Sequence, residues 1–258
     1  MKKKLALYLF LILTVVSCKL FVLTDRESEN IAVEQSNSES TEISSIIEPY
    51  KEKLEVSMNQ IIGYSEIEMS TGSPEGLLGN YVSDLSLRIG NQYYSALFND
   101  TADFALLNNG GLRTFLPKGE ITQGKVFEIM PFENELVVVT LSVKKMVELF
   151  NYIGKKTVKG GNRKQGVPVS GNVKIELSGE TPVEVLVDNM RLRGRPYKVI
   201  TTDYLANGGD NMDFFLNPIK YEKLGIKLRD AIMNDVKSKK LLDIKVGSKL
   251  DKRISYVE

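Results

Sequence analysis

Apolar residues recur every three or four positions from Ile43, through Ile46, Ile47, Tyr50, Leu54, Met58, Ile61 and Ile62. That is the spacing of an amphipathic helix. Pro49 falls inside the run and is expected to start or kink the main segment, because its ring removes a helical N–H donor. Gly63 reads as its stop, and residues 64–69 alternate roughly as a strand does. Farther on, residues 78–97 read as a helix, 103–107 as a short apolar strand and 108–113 as a turn. Thr122 is placed to cap a short helix through Phe127; residues 136–141 form a buried strand and 143–152 a helix. A basic, glycine-containing loop over 154–166 leads to strands at 167–177, 184–187 and 197–202. Leu224, Leu228, Ile232 and Val236 predict a last amphipathic helix over 223–241. No internal repeat is visible. Separated strands and helices favour one α/β domain (an α+β mixed sheet) over a sandwich.

The N-terminal pattern differs in kind. Residues 1–4 are short and basic, and 5–16 form an apolar run interrupted only by Thr14. A bilayer span needs ~20 apolar residues, so this run has the size of a signal-peptide core instead. It ends in Val15-Val16-Ser17-Cys18, which resembles the bacterial lipobox, where cleavage leaves the cysteine as a lipidated first residue. Acyl chains there contribute about 0.8 kcal/mol per buried CH₂. An ordinary secretory signal followed by an incidental free thiol is the other reading. The expected division is a lipoprotein signal peptide over 1–17, a lipidated N-terminus and tether over 18–42, and the folded domain over 43–258. Residues 25–42 are rich in Ser, Glu and Asn, the composition of a loose lead-in, while 21–23 and 31–33 read as parts of short strands. The expected location is the bacterial cell envelope, exported and lipid-anchored, on the periplasmic side or the outer-membrane surface.

Composition narrows the chemistry. With 258 residues and 42% apolar content the chain can bury a core. A net charge of +1 argues against a protein held to a nucleic-acid polymer by bulk electrostatics. One cysteine means that no intrachain disulfide supports the fold, and there is no histidine. Histidine is the commonest metal-binding side chain and the commonest general base near neutral pH. A di-metal hydrolase site would have to be built from carboxylates and Cys18, so no metal ligand and no catalytic residue is assigned to this chain.

Three stretches combine permissive backbone with polar or aromatic side chains. Asn108-Asn109-Gly110-Gly111-Leu112-Arg113 ends a predicted strand; its glycines allow close backbone approach, and Arg113 offers a fork of donors for phosphate or carboxylate. The same residues also read as an ordinary turn. In Met130-Pro131-Phe132-Glu133-Asn134, Phe132 offers a flat face and Asn134 both a donor and an acceptor; a core phenylalanine beside a turn is the alternative. In Thr202-Asp203-Tyr204-Leu205-Ala206-Asn207-Gly208-Gly209-Asp210, an aromatic precedes a Gly208-Gly209 turn and an acid. Asp210 suits paired sugar hydroxyls, or caps a helix.

Taken together these stretches resemble the C-terminal, nucleoside-gripping domain of the bacterial and animal 5'-nucleotidases. The resemblance runs from about residue 74 to 254. It is carried by Leu78-Gly79-Asn80-Tyr81-Val82-Ser83-Asp84, residues 108–113, residues 131–134, Pro168-Val169-Ser170-Gly171 and residues 203–210. It implies that Phe132 and Tyr204 sandwich a base and that Asn134 bonds its edge. Asp210 would accept from ribose hydroxyls, and Asn108 and Arg113 would orient the sugar-phosphate. Tyr204 replaces the more usual phenylalanine, and Ser73-Pro74-Glu75 stands where members often carry a phosphate-holding arginine. In relatives, a histidine-rich metallophosphatase domain with two metal ions activates the attacking water. The resemblance therefore implies a nucleotide-binding component of a split 5'-nucleotidase-type phosphoesterase acting in nucleotide catabolism. Divalent metals of the zinc, manganese or magnesium type are expected in a separate metallophosphatase polypeptide. A non-enzymatic nucleoside-binding or surface-interaction lipoprotein is the alternative.

Overall fold

The structure, a computed structural model, describes residues 40–159, 161 and 165–257. Cys18, the signal segment, nearly all of the tether and the short strands expected near residues 21–33 lie outside the described residues. The chain divides into a first unit over 1–48 and a second over 49–258. Helix α1, Thr41–Met58, supplies all the described secondary structure of the first unit and runs past its boundary, with Pro49 inside it. It begins two residues before the end of the expected tether. None of its residues is buried, so the apolar stripe read from the sequence forms on a helix but covers no core.

In chain order the rest is β1 (Ile61–Ser65), α2 (Leu77–Phe98), β2 (Phe104–Ala105), β3 (Gly119–Thr122), α3 (Gln123–Ile129), β4 (Glu135–Leu141) and α4 (Val143–Lys156). There follow β5 (Val173–Ser178), β6 (Thr181–Val187), β7 (Met190–Arg191), β8 (Tyr197–Thr202), α5 (Asp203–Ala206), β9 (Lys220–Lys227), α6 (Leu228–Leu241) and β10 (Ile254–Tyr256). The central sheet has the order β2-β8-β4-β9, with β2 parallel to β8 and the other pairs antiparallel. A second sheet, β10-β5-β6-β7, is also mixed, and β1 pairs with β3 alone. The α/β architecture with mixed sheets is thus the one expected.

Strand β4 shows why its sequence is a continuous apolar run. Leu136 and Val138 join a core formed with α2, α3 and α6, whereas Val137, Val139 and Leu141 join one formed with α4 and the second sheet. Both faces of the strand are covered, so alternation disappears. Each such side chain contributes about 1.5–3 kcal/mol on burial.

Four expected elements differ from the structure, the strand read over 64–69 among them, since the strand there is β1 over Ile61–Ser65. Ile61 and Ile62 belong to β1 rather than to the preceding helix, and Gly63 is no helix stop. It lies within β1, where a side chain would meet Val236 Cγ1 at 2.4 Å. The strand expected over 167–177 is split: Val169 bridges Leu106, and β5 begins only at Val173. The last helix begins at Leu228 rather than residue 223. Residues 220–227 instead form β9, with Glu222, Leu224 and Ile226 turned inward at a period of two. This strand lies at the sheet edge, where Lys220, Lys223 and Lys227 oppose further pairing.

Helix α3 starts as its sequence predicts, with Thr122 Oγ1 accepting from the Lys125 amide at 3.1 Å. Removing this cap leaves an orphan N–H, so Thr122→Ala is expected to cost about 1 kcal/mol. A urea melt checks it; an unchanged midpoint would show that the cap carries nothing. Among the described residues no helix is long and apolar enough to cross a membrane.

Candidate functional site

The sheet topology brings the three singled-out stretches together. Parallel strands β2 and β8 end at the same sheet edge, and antiparallel β4 begins there. The segments after β2, before β4 and after β8 are residues 108–113, 131–134 and 203–210. Asn108, Gly110, Gly111, Arg113, Phe132, Asn134, Tyr204 and Asp210 line one cavity of about 280 Å³, near the lower end of the range for small-molecule pockets. All six side chains singled out from the sequence are therefore in one place. Gly208 and Gly209 lie in an adjoining hollow that shares Asn134 and Tyr204.

Neither ring belongs to the core: Phe132 is 41% and Tyr204 46% exposed. The loop carrying Phe132 is held from β9 and α6, where the Glu133 carboxylate is bound by Lys227 and Arg229. Those two cations hold the Glu133 carboxyl down to about 2, Lys227 contributing most. Arg229 also donates to the Pro131 carbonyl at 3.3 Å and covers the Phe127 ring at 4.2 Å. Asp203 Oδ1 accepts from the amides of Glu135 (3.1 Å) and Tyr204 (2.8 Å), tying the start of β4 to the end of β8. The Asn134 side-chain amide makes no hydrogen bond to the described residues, so its donor and acceptor are available to a ligand. Arg113 reaches the Gly110 carbonyl at 3.3 Å, and its guanidinium lies over the Phe132 ring, 5.9 Å from the centroid.

Asp210 is the most heavily tied residue of the cavity. Its Oδ2 accepts from Asn108 Nδ2 at 2.6 Å, its Oδ1 from the Tyr204 hydroxyl at 2.9 Å, and its carbonyl from the Tyr152 hydroxyl at 2.7 Å. Among the described residues no helix amide donates to its carboxylate, which lines the cavity instead. Gly208, Asp210 and Asn211 all have positive φ, at 87°, 55° and 61°, and glycine adopts that region at least cost. A side chain at Gly209 would come within 2.5 Å of the Tyr204 ring, and one at Gly111 within 2.9 Å of Asn108 Oδ1.

Tyr152 and Arg229 escaped the sequence reading, and Asp203 lay inside a singled-out stretch without a role of its own. Tyr152 sits at the end of an ordinary amphipathic helix, 58 residues before its partner; nothing local marks it. Arg229 lies where the sequence read as mid-helix. Residues 73–75 do not line the cavity, and among the described residues Arg113 is the one cation that does. Among the described residues no group of three or more His, Cys, Asp or Glu side chains is placed to hold a metal ion. The cavity lining has, among the described residues, one carboxylate, already bonded at both oxygens. This donor set does not fit a dinuclear centre, and no chemical step is assigned to it.

Comparison with known proteins agrees with the geometry. The model of the family described as "5'-nucleotidase, C-terminal domain" matches residues 58–217. The trifunctional nucleotide phosphoesterase protein YfkN of Bacillus subtilis is 26% identical over 257 residues, covering 92% of this chain and 16% of that protein. A 5'-nucleotidase of Vibrio parahaemolyticus is 28% identical over 196 residues, covering 76% of this chain and 33% of that protein. The crystal structure of a 5'-nucleotidase precursor from Thermus thermophilus superposes with a TM-score of 0.64 at 26% identity, covering 83% of this chain and 43% of that one. The chain thus spans less than half the length of each of these relatives.

Proposed function

Because this chain belongs to the family of 5'-nucleotidase C-terminal domains, we propose that its cavity grips a nucleoside or nucleotide and that the chain is the binding component of a split 5'-nucleotidase-type phosphoesterase. One observation carries the reading: two half-exposed rings, Phe132 on its loop and Tyr204 on α5, line the same small cavity as a fixed carboxylate and a side-chain amide with no hydrogen bond among the described residues. Phe132 and Tyr204 hold the base by stacking, at ~1–3 kcal/mol per base for any of the bases. Asn134 bonds the base edge, Asp210 accepts from the ribose, and Asn108 and Arg113 orient the sugar-phosphate. Divalent metals of the zinc, manganese or magnesium type, and the attack on phosphate, belong to a separate metallophosphatase polypeptide. Cys18 anchors the chain by lipid to the cell envelope, where it meets that partner.

Calorimetry with adenosine and AMP, and an AMP hydrolysis assay with added Mn²⁺ or Zn²⁺, test this directly. Binding of both ligands without turnover by the pure chain is the expected result. No binding of either overturns the nucleotide assignment; robust turnover by the chain alone overturns the split-enzyme assignment.

A further inference from the structure

The geometry points to Tyr204 and Tyr152 as positioning residues that set Asp210 for a vicinal cis-diol, so that the cavity selects ribonucleosides over deoxy analogues. This inference rests on the nucleoside reading of the cavity, which already gives the ribose to Asp210, and goes beyond it by naming the residues that hold that carboxylate in place.

The Tyr204 hydroxyl makes two bonds to one residue. It donates to Asp210 Oδ1 at 2.9 Å and accepts from the Asp210 amide at 3.3 Å. A hydroxyl bonded to both the amide and the carboxylate of Asp210 limits how the side chain turns about χ1. Asn108 Nδ2 fixes the other oxygen at 2.6 Å. The Tyr152 hydroxyl holds the carbonyl of the same residue at 2.7 Å. These ties meet on a backbone that needs holding, since Asp210 and Asn211 are consecutive non-glycine residues at positive φ. Burial, then the Asp210 carboxylate, pushes the Tyr152 hydroxyl up to about 12, and it remains a donor throughout the neutral range.

The arithmetic of lone pairs gives this arrangement its consequence. A carboxylate has about four acceptor sites. Tyr204 takes one on Oδ1 and Asn108 one on Oδ2, which leaves one free site on each oxygen. Two adjacent hydroxyls on one ring edge match two such sites on a carboxylate that can no longer turn. A phenylalanine at residue 204 would stack as well but would leave Oδ1 unheld. Tyr204 thus couples the base platform to the sugar acceptor: the ring packs over Gly209, while its hydroxyl sets Asp210. Preorganisation of this kind raises affinity by removing the ordering cost from the binding step.

The test compares adenosine with 2',3'-dideoxyadenosine by calorimetry on the intact chain and on Tyr204→Phe and Tyr152→Phe, with thermal midpoints measured in parallel. The wild-type chain is expected to prefer adenosine. Tyr204→Phe should weaken adenosine binding by about two- to tenfold, the range for one net hydrogen bond, and leave dideoxyadenosine within about twofold. Tyr152→Phe should move selectivity in the same direction. Equal weakening of both ligands, or no change in either, overturns the positioning role while the nucleoside reading stands. Failure of the wild-type chain to bind either ligand overturns both.

Discussion

Phe132→Ala is expected to weaken adenosine binding by about five- to 150-fold, the equivalent of ~1–3 kcal/mol for one lost stacking face. The ring is 41% exposed and outside both core clusters, so the thermal midpoint should barely move; surface substitutions usually stay within about 0.5 kcal/mol. It also gives up the cation–π approach of Arg113, worth about 0.5–1 kcal/mol when exposed. Tyr204→Ala should cost more than Phe132→Ala, because it removes a ring and also frees Asp210 Oδ1. The double variant should lose less than the two single losses added together. Once one face of the slot is gone the base is no longer clamped, and the second ring has less to lose; contacting residues rarely add. A double-mutant cycle by calorimetry measures this coupling. Strict additivity would mean that the rings bind independently rather than as a clamp, and an unchanged affinity in Phe132→Ala would remove the base from this cavity altogether.

What the sequence revealed and what it hid divide along physical lines. Elements whose pattern is local were legible: α2 has its helical periodicity, β4 its apolar run, and α3 its Thr122 cap. The six side chains of the cavity were legible for another reason, since a family resemblance carries residue order across distances that periodicity cannot. Errors fell where two periods compete. Ile61 and Ile62 extend a helical stripe by spacing but pair as strand, because β3 offers a ladder partner. In Lys220–Lys227, Leu224 fits a helix ending at Leu241, yet Glu222, Leu224 and Ile226 alternate, and β4 claims them. Tyr152 and Arg229 could not be read at all. Each acts through a partner 58 or about 100 residues away, and only the fold defines that distance.

Arg253→Ala is expected to be the most damaging single change outside the apolar cores. The side chain is 3% exposed, and every donor group of its guanidinium is engaged. Nη1 reaches the Val169 carbonyl and Asp84 Oδ1, both at 2.8 Å, and the Asn80 carbonyl at 3.3 Å. Nη2 bonds Asp84 Oδ2 at 2.7 Å and Nε bonds Asp251 Oδ1 at 2.8 Å. One residue thereby joins α2, the segment that bridges Leu106, and the approach to β10. Removing one partner of a buried ion pair costs ~3–5 kcal/mol when the other charge is stranded. Asp84, however, is 47% exposed and regains water, which moves the expectation toward about 3 kcal/mol. For a chain of this size that lowers the melting midpoint by about 6–12 °C. Arg253→Lys should recover only part of the loss, because a point charge cannot satisfy a forked carboxylate and two carbonyls at once. Asp84→Asn keeps an acceptor and should cost about 1 kcal/mol. The order Ala, Lys, then Asp84→Asn in urea melts is the signature of a guanidinium that bonds several elements. A loss below about 1 kcal/mol for Arg253→Ala would mean that apolar packing alone holds the C-terminal strand against α2.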